Sequence, residues 1–111
     1  MVFDFNVALK GMGGDESLLR ETLQDFIDYY ADAGAKIRSS VAENHHQDAE
    51  ILAHTIKGLG STFAAPHLRD SALTLERALH EREEEGLEQK MTDLEQAIAD
   101  MLTEINNVLK S

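Results

Sequence analysis

Residues 53–61 read Ala-His-Thr-Ile-Lys-Gly-Leu-Gly-Ser and form the middle of a segment whose spacing predicts a helix from Asp48 to Phe63. At roughly 100° per residue, the apolar side chains of this segment fall on one stripe. They are Leu52, Ile56, Leu59 and Phe63. His54 lies about 200° from the start of that stripe, so the helix is expected to present its imidazole to solvent.

The face that carries His54 combines a cation with small residues. Glu50, Lys57, Gly58 and Ser61 all lie within about 60° of it. A glycine inside a helix costs about 0.5–1 kcal/mol relative to alanine, so both glycines need a reason. For Gly58 we favour clearance, which lets a large group approach the ring. For Gly60, which leans towards the buried side, we favour close packing of a neighbouring helix.

The pentapeptide His54-Thr55-Ile56-Lys57-Gly58 resembles the H-x-L-K-G motif of histidine-containing phosphotransfer (HPt) domains. The similarity covers most of the chain, roughly Phe5 to Leu109. Similar segments lie at residues 14–19 and 68–79. The family often has a small residue seven positions after the histidine, where Ser61 stands here. It often has a glycine ten positions after, and Ala64 departs from that pattern at the exit of the helix.

The resemblance implies that His54 carries a phosphoryl group. Neutral imidazole is nucleophilic near physiological pH, and a nearby Lys57 favours the neutral ring before transfer. Lys57 is then expected to pair with the bound phosphoryl group, with Ser61 or Thr55 as a hydrogen-bond donor. The implied partners are receiver domains of response regulators, which bring the Mg²⁺ and the aspartyl phosphate. No cofactor is expected in this chain itself.

Docking of a receiver requires an apolar rim beside the histidine. Ile51, about 60° from His54 by helical spacing, is the main candidate, with Glu50 beside it. Ala31 and Ala35 on the preceding helix are further candidates. The resemblance also fits the C-terminal domain of a hybrid sensor histidine kinase, and therefore a bacterial, cytoplasmic location.

Composition favours one all-α domain over residues 1–111. Hydrophobic residues make up 42% of the chain but aromatic residues only 5%, and the absence of cysteine excludes disulfides. The net charge of −11 disfavours binding to nucleic acid and to anionic lipid, which need basic surfaces. His54 is expected to be the local exception, with Lys57 and Arg69 forming a small positive spot. We expect a monomer, because one chain supplies four helices.

The apolar pattern predicts an antiparallel up-down four-helix bundle with a short N-terminal helix or arm. The arm, residues 3–9, is expected to cover one end of the bundle. The predicted helices begin at Asp15, Asp48, Pro66 and Leu87, with the two aspartates as N-caps. The first of them is expected to run unbroken to Val41.

Three other functions compete with phosphotransfer. The chain would be a docking scaffold if His54 were inert. His46, Glu50 and His54 share a helix face at i, i+4 and i+8, which is one spacing for a zinc site. A hydrolase ranks last, because no set of nucleophile, base and orienting residue is visible. The chain also lacks a Gly-rich phosphate loop, so we expect neither ATP binding nor autophosphorylation.

Overall fold

The computed structural model describes residues 2–111 and contains six helices in that range. They are α1 (Phe5–Gly11), α2 (Glu16–Tyr30), α3 (Ala33–Ala42), α4 (His46–Thr62), α5 (Pro66–His80) and α6 (Leu87–Lys110). No strand occurs in these residues, and the predicted all-α class is confirmed. None of the helices in this range combines the length and the apolar character needed to cross a bilayer.

The predicted continuous helix up to Val41 is wrong, because a turn at Ala31 and Asp32 separates α2 from α3. Just beyond the turn, Gly34 is buried against α6. A Cβ on Gly34 would lie 2.6 Å from Cγ of Glu95. Aspartate and glycine are both weak helix formers, so the chain breaks where its backbone must approach α6. Hydrophobic spacing within one helix does not reveal such a contact.

Helices α3, α4, α5 and α6 pack in a closed ring, each against the next and α6 against α3. Cross-helix contacts show that α4 and α5 run antiparallel. Glu50 pairs with His80, His54 with Glu76, and Gly60 touches Arg69. One cluster of buried side chains joins all six helices, among them Ala8, Leu19, Ile37, Ala53, Leu75 and Ile98. The α4–α5 pair is therefore fixed on its inner side and open on its outer side.

The predicted caps are right at one helix and wrong at another. The Asp15 carboxylate accepts a hydrogen bond of 3.0 Å from the amide of Leu18, so Asp15 is the N-cap of α2. Asp48 is not a cap, because α4 already begins at His46 and Asp48 lies in its first turn. Helix α4 begins before Asp48 because a tight left-handed turn at Asn44, with φ of 63°, directs the chain back into a helix.

A second left-handed turn ends α4. The amide of Ala65 donates to the carbonyl of Gly60 at 2.8 Å, and the amide of Ala64 donates to the carbonyl of Ser61 at 3.2 Å. This is a Schellman motif, whose left-handed position usually holds glycine. Here Ala64 occupies it with φ of 54°. Alanine in place of the usual glycine therefore strains the exit of the helix.

The N-terminal arm covers this same end of the bundle, as expected. Phe3 is buried, and the amide of Asp4 donates to the carbonyl of Ala64 at 3.0 Å. The Asp4 carboxylate then caps α1 through the amide of Val7. Pro66 stands at the first position of α5, as predicted. The arm and the turn thus hold the C-terminal end of α4 in place.

Candidate functional site

The imidazole of His54 lies on the outer face of α4. Ala53 and Ile56 on either side are fully buried, so the helical repeat turns His54 outwards. Its side chain is 64% exposed. The prediction of a solvent-facing histidine is therefore confirmed.

Glu76 of α5 holds the ring of His54. Its Oε2 lies 2.6 Å from Nδ1 of His54, and its Oε1 lies 2.9 Å from Nζ of Lys57. A carboxylate only accepts hydrogen bonds, so Nδ1 carries the proton and Nε2 keeps its lone pair. Nε2 is then the ring nitrogen with a free lone pair, on a side chain that is mostly exposed.

The carboxylate of Glu76 remains ionised although it is partly buried. Burial raises the pKa of Glu76, but the hydrogen bonds from Lys57 and His54 outweigh that effect and leave the pKa below its usual value. The sequence suggested that Lys57 faces the ring as a free cation, and this is wrong. Its ammonium group is bound to Glu76, which stands between the cation and the imidazole.

The two glycines of α4 have different surroundings, as predicted. A Cβ on Gly58 would meet nothing within 4 Å, so packing does not require glycine there. A Cβ on Gly60 would lie 2.6 Å from the backbone nitrogen of Arg69, so packing against α5 does require it. The space above His54 is therefore open. Ser61 is exposed on α4, and its role as a donor stays a prediction.

Of the predicted docking residues, Ile51 has the surroundings that docking needs. Its side chain is 58% exposed, one of four large apolar residues so exposed in the described part of the chain. Glu50 is 30% exposed and is engaged with Nδ1 of His80 at 3.2 Å. Ala31 and Ala35 are exposed beside α6, and their part in docking stays a prediction. They line a cavity of about 220 Å³ against α6, because the α2–α3 turn directs them there.

Arg69 does not add positive charge at His54. Its guanidinium Nε lies 2.9 Å from the carboxylate of the neighbouring Asp70. Its backbone lies at the level of Gly60, six residues and therefore about 9 Å of helix rise beyond His54. The expected positive spot is thus reduced to Lys57, whose charge Glu76 offsets.

His46, Glu50 and His54, which have one spacing of a zinc site, do not converge on a common point. Glu50 binds His80 and His54 binds Glu76, while Nδ1 of His46 is buried without a hydrogen-bond partner. Within residues 2–111, no group of three or more histidine, aspartate or glutamate side chains converges to hold a metal ion.

Sequence reasoning missed Glu76. The buried stripe of α5, which includes Ala72, Leu75 and Leu79, places Glu76 beside the packed face. That spacing indicates a residue at the edge of a helix interface. It does not indicate which helix lies opposite, and only the antiparallel packing of α4 on α5 brings Glu76 to His54.

Comparison with known proteins bears on this arrangement. Residues 21–108 match a family model described as the Hpt domain. The match contains His54, Lys57, Gly58 and Glu76. It begins at residue 21, within α2, whereas the resemblance covered the chain from roughly Phe5. Comparisons with curated proteins and with solved structures gave no match.

Proposed function

The chain belongs to the Hpt domain family, and we propose that His54 is the residue on which it carries a phosphoryl group. Hpt domains act in histidine phosphotransfer within phosphorelays and interact with receiver domains of response regulators. In our proposal His54 accepts the phosphoryl group from a receiver aspartate and passes it to another receiver. The observation that carries this assignment is the exposed imidazole of His54, with Nδ1 bound to Glu76.

The proposed step needs no proton transfer at the attacking nitrogen. The lone pair of Nε2 forms the N–P bond while the acyl O–P bond of the aspartyl phosphate breaks and the aspartate leaves as a carboxylate. Positive charge develops on the ring during this step. The Glu76 carboxylate, 2.6 Å from Nδ1, offsets that charge and keeps the ring oriented. The Mg²⁺ that neutralises phosphoryl charge belongs to the receiver.

Lys57 acts in this proposal after the phosphoryl group arrives. Its side chain is 28% exposed, so the ammonium group can pair with phosphoryl oxygens while staying close to Glu76. Ser61 supplies a hydroxyl donor further along the helix. The absence of a Cβ on Gly58 leaves room for the receiver, and Ile51 supplies an apolar contact at the rim. We place this exchange in the cytoplasm, where a hybrid kinase would present such a domain.

The test uses a receiver domain charged with radiolabelled phosphate and then mixed with the chain. We expect label that is labile in acid and stable in alkali on the wild type, and none on His54→Gln. His67→Gln is the matched control, because His67 is an exposed histidine on α5, and it should take label normally. A chain that binds the receiver without taking label would instead be a docking scaffold.

A further inference from the structure

A second histidine on the same face also has Nδ1 beside a carboxylate of the facing helix, at a longer distance and without a lysine on that carboxylate. Nδ1 of His80, the last residue of α5, lies 3.2 Å from Oε2 of Glu50 on α4. The His80 side chain is 74% exposed and Glu50 is 30% exposed. Among the histidines of residues 2–111, only His54 and His80 have a ring nitrogen hydrogen-bonded to a carboxylate.

We propose that His80 is a second phosphoryl acceptor of this chain. The Glu50 carboxylate accepts a hydrogen bond from Nδ1, which fixes the proton there and leaves the lone pair on Nε2. The exposed ring leaves that nitrogen accessible to a phosphoryl donor. This inference depends on the Glu50–His80 pair and does not require that His54 itself is phosphorylated.

A cation is available to hold the phosphoryl group. Arg77 lies about one turn before His80, and both line a groove of about 340 Å³ between α4 and α5. Arg77 makes no ion pair within residues 2–111, whereas Lys57 is already bound to Glu76. A free guanidinium matches phosphoryl oxygens in charge and in geometry. Glu76 and Glu81 also line the groove, and their negative charge should make His80 the slower of the two acceptors.

Potassium phosphoramidate is a small phosphoryl donor for this step. The lone pair of Nε2 forms the N–P bond, the P–N bond of the protonated donor breaks, and ammonia leaves. The proton on Nδ1 stays on the ring and is shared with Glu50. With a receiver as donor, the acyl O–P bond of the aspartyl phosphate breaks instead, and the aspartate carboxylate leaves.

The experiment uses the full chain with His54→Gln, so that the first acceptor is absent. After treatment with phosphoramidate at about pH 8, where imidazole is mostly neutral, mass spectrometry maps phosphohistidine over time. We expect His80 to react several-fold faster than His67. His67 is a stringent control, because it lies near the N-terminus of α5, where the helix dipole favours an added negative charge.

A second variant tests the carboxylate itself. Glu50→Gln in the same background should lower the rate at His80 to that of His67 and leave His67 unchanged. Circular dichroism of each variant shows whether the fold is retained, and the unchanged rate at His67 serves as an internal standard. A rate at His80 no higher than at His67, or no effect of Glu50→Gln, would overturn the proposal.

Discussion

Glu76 of α5 accepts the Nδ1 proton of His54 of α4 across 2.6 Å and is at the same time bound to Lys57. The ring of His54 is therefore oriented by a neighbouring helix and not by its own. Because Glu76 is partly buried between the two helices, its position is set by the packing of the bundle. Orientation of the His54 ring and stability of the fold are thus linked through one carboxylate.

Replacing Glu76 by glutamine should slow phosphotransfer to His54 roughly tenfold to a hundredfold, by analogy with carboxylates that orient metal-bound histidines. Glutamine keeps the size, but it cannot accept from both His54 and Lys57. The rate of label transfer from a charged receiver measures the effect. Glu85→Gln, in the exposed α5–α6 loop, is the matched control and should react at the wild-type rate. Equal rates for both variants would show that Glu76 does not act on the ring.

The same carboxylate predicts a dependence of stability on pH. The pKa of Glu76 is lower in the folded chain than the ordinary glutamate value of 4.5. A depressed pKa stabilises the fold at pH values above 4.5, and this stabilisation is lost as the pH falls through the folded-state pKa. The free energy of unfolding in urea should therefore fall more steeply on acidification for the wild type than for Glu76→Gln. Parallel curves for the two proteins would contradict this.

Ile51→Glu should slow transfer from a receiver and leave the free energy of unfolding nearly unchanged. The side chain is 58% exposed, so the substitution removes an apolar contact only when a partner docks. Ala99→Glu adds the same charge to an exposed position of α6, a helix across the bundle, and should transfer normally. Phosphorylation by phosphoramidate should be equal in both, because no docking is involved. Normal transfer to Ile51→Glu would remove Ile51 from the docking surface.

Gly58→Ala should separate stability from function. The added Cβ meets nothing within 4 Å, so the helix should gain about 0.5–1 kcal/mol of stability. Transfer from a receiver should nevertheless slow, because the methyl group enters the space above His54. Gly60→Ala gives the opposite control. Its Cβ would lie 2.6 Å from the backbone of Arg69, so the free energy of unfolding should fall by about 1–3 kcal/mol.

Ala64→Gly should stabilise the chain by about 0.5–1 kcal/mol. Ala64 has φ of 54°, and relief of that left-handed strain exceeds the entropy that glycine adds to the unfolded state. Thermal or urea unfolding measures the gain, and transfer to His54 should not change. Ala65→Gly is the neighbouring control. Ala65 is buried with φ of −112°, so glycine there should destabilise the fold.

The sequence by itself determined the helical class, the outward direction of His54 and the different surroundings of Gly58 and Gly60. These follow from the 3.6-residue repeat, which relates residues of one helix to each other whatever the helix packs against. The same repeat indicates which residues lie inward and which outward along α5 and α6.

Only the tertiary structure decided which residues face His54. Glu76 lies 22 positions away in sequence, and the Glu50–His80 pair spans 30. The turn at Ala31 and Asp32 likewise depends on the approach of Gly34 to α6. Each of these features depends on the register and distance between two helices, which the pattern within either helix alone does not specify.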